Sequence, residues 1–179
     1  MVPDWAVQRI RSEFTCRPGR PPEPLLHIDI VDVADGMDAR TRHLPTSTEA
    51  SDAFCPSVVL AQLRPDLALT AELDPPLTGA SDEGLPGFFY RTHRFIRHGG
   101  TLLVACRQQH HGSELVDPQG HLVACARTAG FVYRQHILIV HATAKEHRLL
   151  PTPDAPAPVP APVWRHQPIH TDLLYFSAV

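Results

Sequence analysis

The chain has little positive charge, and nearly all of it is arginine. Lys145 is the only lysine among the 16 basic residues of the 179-residue chain, and 19 acidic residues give a formal net charge of −3 with histidine counted as neutral. A protein of this charge has no basic field that would attract nucleic acid over its whole surface. Because arginine suits planar contacts to phosphates and base edges, any nucleic-acid contact is predicted to be local.

Paired cysteines, long apolar runs and a glycine-rich loop are also missing. The four cysteines (Cys16, Cys55, Cys106 and Cys125) form no Cys-x-x-Cys pair, and the sequence shows no zinc-site spacing, so we predict no metal. No segment approaches the length of a membrane span, and the start of the chain has no apolar signal-peptide core. We therefore expect a cytoplasmic protein with reduced thiols and no membrane contact.

Strand patterns alternate with helix patterns along the chain. Strands are predicted at residues 25–33, 67–73, 101–106, 131–142 and 170–177, and helices at residues 5–14, 54–63, 87–97 and 120–128. A polar loop is predicted between the third strand and the last helix, at residues 108–119. This alternation is typical of an α/β fold with a mostly parallel sheet and an antiparallel end.

Composition divides the chain into four predicted segments. A proline-rich N-terminal extension occupies residues 1–24, and the α/β core occupies residues 25–149. A loop or linker rich in proline and alanine follows at residues 150–163. Residues 164–179 then supply the terminal strand of the core.

The most informative motif is the corner Asp74-Pro75-Pro76-Leu77, which follows the strand predicted at residues 67–73. Each proline lacks an N–H and forces the residue before it into extended geometry, so the corner is rigid and can expose carbonyls and a carboxylate. Taken alone, an Asp-Pro-Pro sequence is also compatible with an ordinary turn. Its place in the order of segments is what gives it functional meaning.

That order resembles the later part of the amino-methylating DNA methyltransferases, which methylate adenine N6 or cytosine N4. Gly36-Met37-Asp38-Ala-Arg is similar to the Gly-Asp-Ala-Arg segment of the family, and Asp74-Pro75-Pro76-Leu77 is similar to its (Asp/Asn/Ser)-Pro-Pro-aromatic motif. Residues 95–107, with their Gly-Gly turn, resemble its Arg-x-Leu-x-Pro-Gly-Gly-x-Leu-x-Val segment. The resemblance implies a Rossmann-like methyltransferase sheet that lacks the first strands.

The resemblance also implies roles for the corner. Asp74 would orient an exocyclic amine, the Pro75 carbonyl would accept one of its hydrogens, and Pro76 would keep the turn rigid. The family places an aromatic side chain at the fourth position, where it stacks on a flipped base. Leu77 stands there in this chain and can contact a base without offering an aromatic face.

The cofactor implied by the resemblance is S-adenosylmethionine. The cofactor-binding candidates are Asp32, Asp35, Gly36 and Asp38, in a segment without the second glycine of a Gly-x-Gly turn.

The partner implied by the resemblance is DNA. The nucleic-acid-binding candidates are Arg107, Trp164 and Arg165, although packing or simple exposure is the more usual explanation for the last two.

Three interpretations of the whole chain remain open at the level of sequence. The first is a methyltransferase-like domain that is inactive alone or weakly active. The second is a non-catalytic binding or regulatory protein on the same scaffold, or a subunit that pairs with a complementary methyltransferase subunit. The third is a remnant with no molecular role.

Overall fold

The computed structural model describes residues 2–16, 18–19, 21–32, 40–41, 55–64, 84–111, 114–153 and 169–179. Within these ranges the helices are α1 (Asp4–Thr15), α2 (Gly84–Phe95) and α3 (Gln119–Thr128). The strands of the main sheet are β1 (Leu25–Asp32), β2 (Arg40–Thr41), β3 (Val58–Leu63), β4 (Thr101–Cys106), β7 (Phe131–Val140) and β10 (His170–Ala178). Two small hairpins consist of β5 (Gln109–His111) with β6 (Glu114–Val116), and β8 (Ala142–Lys145) with β9 (Arg148–Pro151).

The main sheet has the order β2-β1-β3-β4-β10-β7. The strands β1, β3 and β4 run parallel to one another, and β10 runs antiparallel to both β4 and β7. The antiparallel strand β10 is thus inserted between β4 and β7, which share one direction, and the short β2 pairs antiparallel with β1 at the other edge. Four of the six strands (β1, β3, β4 and β7) share one direction, so the sheet has the Rossmann-like form predicted from the sequence, mostly parallel with an antiparallel end.

Most of the predicted elements are confirmed within a few residues of their observed bounds. These are the helices α1, α2 and α3 and the strands β1, β4, β7 and β10. The strand predicted at residues 67–73 lies outside the described residues.

The helix predicted at residues 54–63 is wrong, because Val58–Leu63 forms the strand β3. All six of its residues are buried, with β1 on one side and β4 on the other. A strand that is covered on both faces shows no alternation of polar and apolar residues, and its apolar run has no period that separates strand from helix.

The core fills both faces of the sheet. One face packs against α2 and α3 through a cluster of fully buried aromatic rings, in which the ring centroid of Phe89 lies 5.2 Å from that of Phe88 and 6.2 Å from that of Phe176. The other face is covered by α1, whose buried Ala6 and Ile10 pack in one cluster with residues of β3 and β4. The chain therefore has the three-layer arrangement that positions loops at the ends of the strands.

A Gly-Gly turn joins α2 to β4, as the sequence predicts. Gly99 has a φ of +72°, a backbone conformation that favours glycine. A Cβ atom on Gly100 would lie 2.7 Å from the carbonyl oxygen of Arg97, so a side chain does not fit there. Backbone bonds from Gly99 N to Ala178 O and from Ala178 N to Gly100 O then fix the turn against the end of β10.

Two predicted loops contain regular structure. The polar loop at residues 108–119 contains the hairpin of β5 and β6. The segment predicted as a linker at residues 150–163 begins inside β9, which pairs antiparallel with β8, and its residues 154–163 lie outside the described part. Strands of three or four residues are too short to show a hydrophobic period, which is why the sequence did not indicate these hairpins.

Candidate functional site

The candidate site lies at the edge of the sheet where the parallel strands end. Asp32, Leu63 and Cys106 are the last residues of β1, β3 and β4, and Arg107 follows directly. β3 and β4 follow β1 in the sheet order and run parallel to it, so the ends of all three strands lie at one edge. In open α/β sheets, ligands bind outside the carboxyl ends of the strands.

The structure places two of the predicted site residues at this edge. Asp32 ends β1, and Arg107 lies next to the end of β4, two strands away in the sheet order. The other candidates lie outside the described residues, and their roles stay predictions. They are Asp35, Gly36, Asp38, Asp74, Pro75, Pro76, Leu77, Trp164 and Arg165.

The residues directly after β1, 33–39, lie outside the described part of the chain. Beyond them, Arg40–Thr41 form the short strand β2, in which Arg40 pairs with Asp32 of β1 in the antiparallel direction. A nucleotide-type cradle needs a strand, a glycine turn and the N-terminus of a helix in succession. The structure describes only Asp32 among the residues that the resemblance assigns to S-adenosylmethionine, and the roles of the others stay predictions.

Arg107 is held at the carboxyl edge by two side chains on the α1 face of the sheet. Its Nε donates to the Thr171 Oγ1 at 2.8 Å, and its Nη2 lies 3.3 Å from the His141 Nε2. His141 is 1% exposed, and its Nε2 lies 2.8 Å from the same Thr171 hydroxyl. Because the guanidinium can only donate, the hydroxyl donates onward to His141 Nε2, which assigns the proton of a neutral imidazole to Nδ1.

This cluster fixes the direction of the guanidinium. Burial lowers the pKa of Arg107 from its ordinary value, but an arginine remains protonated inside proteins. His141 also bonds through its backbone: its N–H donates to Ile169 O at 2.6 Å, and its carbonyl accepts from Thr152 N at 2.9 Å. The ends of β7, β9 and β10 are thereby tied to the residue that orients Arg107.

A second polar cluster lies on the opposite face, beside β10. The carboxylate of Asp172 is 1% exposed, and its Oδ1 lies 2.8 Å from His136 Nε2 and 3.6 Å from His170 Nε2. The other oxygen, Oδ2, has no hydrogen-bond partner among the described residues. Asp172 pairs in register with Cys106 of β4, so the carboxylate and the thiol meet across neighbouring strands.

Neither buried thiol of the core is an activated nucleophile. Burial, with the nearby carboxylates of Asp172 and Asp117, raises the pKa of Cys106 far above its ordinary value of 9.0. Burial also raises the pKa of Cys125 to about 11. Since the thiolate is the reactive form, both side chains are protonated and inert at neutral pH.

The amide of Gln62 joins the N-terminus to the sheet on the α1 face. Its Oε1 accepts from the backbone N–H of Val2 at 2.6 Å, and its Nε2 donates to Asp29 Oδ1 at 3.3 Å and also contacts His27 Nε2. The polar positions of β1 alternate with its apolar ones in the sequence, but nothing there indicated that Gln62 would join them. The network stabilises the packing of α1 rather than offering reactive groups.

Two further findings limit what the described residues can do. No group of three or more His, Cys, Asp or Glu side chains in the described ranges is placed to hold a metal ion. Within the same ranges, no helix is both long enough and apolar enough to cross a membrane.

Comparison with known proteins finds likeness only among solved structures. No family model and no curated protein matches the chain. The precorrin-6y C5,15-methyltransferase of Geobacter metallireducens is similar at a TM-score of 0.36 and 8% identity, over 73% of this chain and 50% of that one. The antibiotic-resistance methyltransferase Kmr is similar at a TM-score of 0.35 and 15% identity, over 68% of this chain and 52% of that one. The chain spans about half the length of each, and its fold assignment rests on the strand order and directions given above.

Proposed function

We propose that the chain is a methyltransferase-like domain of the DNA amino-methylating type that depends on a complementary subunit for S-adenosylmethionine. In this proposal it acts in the cytoplasm on an exocyclic amine of adenine or cytosine. The observation that carries the proposal is the sheet, in which antiparallel β10 lies between β4 and β7. The sequence adds the Asp74 corner and the Gly-Gly turn in the order expected for this type.

The proposed chemistry of the chain is the binding and orientation of an amine. The carboxylate of Asp74 and the carbonyl of Pro75 accept the two amine hydrogens, which localises the nitrogen lone pair for attack on a methyl group. The bound cofactor supplies that methyl group. Leu77 contacts the base without the aromatic stacking that contributes about 1–3 kcal/mol per base.

The proposed dependence on a second subunit rests on the sequence of the cofactor-binding candidates. Residues 32–38 contain a single glycine, Gly36, and so lack the second glycine of a Gly-x-Gly turn. A partner that contributes a glycine-rich strand and turn would complete the site.

A second candidate function is a non-catalytic binding or regulatory protein on the same scaffold. The single glycine among residues 32–38 favours it, and so does the leucine at position 77. On this view the chain binds a complete methyltransferase or its DNA without taking part in methyl transfer.

Calorimetric titration of the purified chain with S-adenosylmethionine and S-adenosylhomocysteine tests the proposed dependence. We expect no saturable binding up to millimolar ligand. Saturable binding in the micromolar range would contradict the need for a partner and would show that the chain holds a cofactor pocket of its own.

Binding to DNA with an unpaired base separates the two candidate functions. The proposed amine-binding corner should favour a duplex with an extrahelical adenine or cytosine over the matched duplex, because the unpaired base needs less energy to leave the stack. The substitution Asp74→Ala should abolish this preference, as measured by fluorescence anisotropy. A chain that shows no preference, or that keeps it after the substitution, would favour the non-catalytic candidate.

A further inference from the structure

We propose that the hairpin of β8 and β9 contacts DNA by entering the groove of a duplex. This inference rests on the proposed function for its substrate class and assigns an element of the chain to that substrate. The hairpin follows β7 directly, and its base is tied to His141, the residue that also orients Arg107. It therefore projects from the same edge of the sheet as the candidate site.

The hairpin is exposed along its length. Seven of the eight residues in its two strands are exposed, and only Ala142 is half-buried. Leu149 and Leu150 are 55% and 46% exposed, which is unusual for leucines in a strand. Because an isolated two-stranded hairpin is at best marginally stable in water, its exposed apolar side chains favour a role at an interface.

The turn of the hairpin is strained. Glu146 and His147 connect the two strands with φ values of 47° and 66°. Two-residue turns of this hand normally use Asn-Gly or Asp-Gly, and an L-residue in the left-handed region costs about 1–2 kcal/mol. These two are the only non-glycine residues with positive φ in the described part of the chain. The tip of the hairpin therefore carries two side chains at positions where the backbone conformation favours glycine.

Like charges lie opposite each other beside this turn. Lys145 pairs in register with Arg148, so their side chains leave the same face of the hairpin from adjacent strands. Such a pair destabilises an antiparallel ladder when nothing neutralises it. A phosphate group placed between the ammonium and the guanidinium would turn the repulsion into two charge-assisted contacts.

Dimensions and side-chain order favour a nucleic-acid duplex over other anions. The major groove, about 12 Å wide, admits a two-stranded β-ribbon. Thr143 pairs with Leu150 two positions further from the turn, on the same face of the hairpin as Lys145 and Arg148. That face therefore offers charged contacts to phosphates at the tip, followed by a hydroxyl and an apolar group of the type that contacts base edges and the thymine methyl.

Fluorescence anisotropy with a 30-base-pair duplex over a range of salt concentrations tests the inference. We compare the full chain with the double variant Lys145→Gln and Arg148→Gln, which keeps side-chain length and removes the charge. The matched control is Arg11→Gln with Arg127→Gln, which removes two exposed charges from α1 and α3 by the same kind of substitution. Each lost phosphate contact lowers the slope of log K against log salt by about 0.9, so we expect a slope smaller by about 1.8 and at least about tenfold weaker binding in the hairpin variant alone.

The possible outcomes separate this inference from the proposed function. Equal salt dependence in the wild type and the hairpin variant would overturn the hairpin assignment and leave DNA as the substrate. Affinities for DNA fall steeply between about 50 and 200 mM salt, so binding is tested at the low end, about 50 mM. If the wild type does not bind the duplex there, both assignments to DNA are overturned. Displacement of the duplex by poly-L-glutamate as effectively as by the same duplex would mean that the hairpin fits an acidic protein instead. The calorimetric result on the cofactor is independent of all three.

Discussion

The strands β3 and β7 belong to one sheet and have opposite surroundings. In β3 all six residues are buried, although Gln62 is one of them. In β7, only Phe131 and Ile139 of ten residues are buried, although its sequence is rich in apolar and β-branched residues. Two strands that are both rich in apolar residues thus differ sharply in exposure.

Position in the sheet explains this difference. β3 has a strand on each side and helices over both faces, whereas β7 is the outer strand of the sheet in the described part of the chain. Burial in the centre holds the fold together, and the outer end leaves Leu138, Val140 and the adjoining hairpin available for contacts. Stability and recognition are therefore expected to respond to different substitutions.

The largest expected effect is the loss of a central ring. Phe89→Ala should destabilise the protein by about 3–5 kcal/mol, because Phe89 is fully buried and packs against Phe88, Phe131 and Phe176. Leu138→Ala on β7, where the side chain is 55% exposed, should change the free energy of unfolding by less than about 0.5 kcal/mol. Chemical denaturation measures both, and a large loss in the Leu138 variant would show that the outer end is part of the core.

A smaller loss of stability is expected when the amide of Gln62, in the buried strand β3, is removed. Gln62→Ala should cost about 1–3 kcal/mol, because it removes the partner of the Val2 N–H and of Asp29 in a buried setting. Gln135→Ala makes the same change at an exposed position of β7. If thermal unfolding shows equal losses for the two variants, the amide of Gln62 is not what fastens α1 to the sheet.

The buried thiols make the stability of the core depend on high pH. Cys106 and Cys125 have raised pKa values in the folded state, about 11 for Cys125, whereas the unfolded chain releases these protons near pH 9.0. The protonated thiols therefore make their full contribution to the free energy of unfolding below about pH 9, and this contribution is lost as the pH rises further. The free energy of unfolding should fall by about 1.4 kcal/mol per pH unit for each thiol.

Urea unfolding at pH 8 and pH 10 measures this loss. The change between the two pH values should be smaller in Cys125→Ala, while the exposed Cys16→Ala serves as the control and should keep the full change. An unchanged difference in the Cys125 variant would mean that this thiol does not carry the effect.

Local signals were sufficient for most elements of the fold. The Gly99-Gly100 turn marked the end of α2 and the start of β4, and the β-branched run of β7 marked a strand. The same signals failed for β3, because a strand buried on both faces has no alternation. They also gave no indication of the hairpins, which are defined by pairing between segments of only three or four residues.

For the candidate site, the sequence singled out Arg107 but not the residues around it. Thr171 and His141 lie 64 and 34 positions away along the chain, and only the insertion of β10 beside β4 brings them to the guanidinium. The pairing of Asp172 with Cys106 has the same origin. Contacts of this kind depend on strand order, which no local pattern encodes.

The sequence by itself determined where most helices and strands form, because backbone propensity and turn residues act over a few positions. It also determined that the positive charge is sparse and nearly all arginine. Only the tertiary structure decided which strands are buried, which polar groups meet at the carboxyl edge and that β2 pairs antiparallel with β1. The physical reason is that burial and long-range pairing are properties of the packed sheet, where a residue's neighbours come from distant parts of the chain.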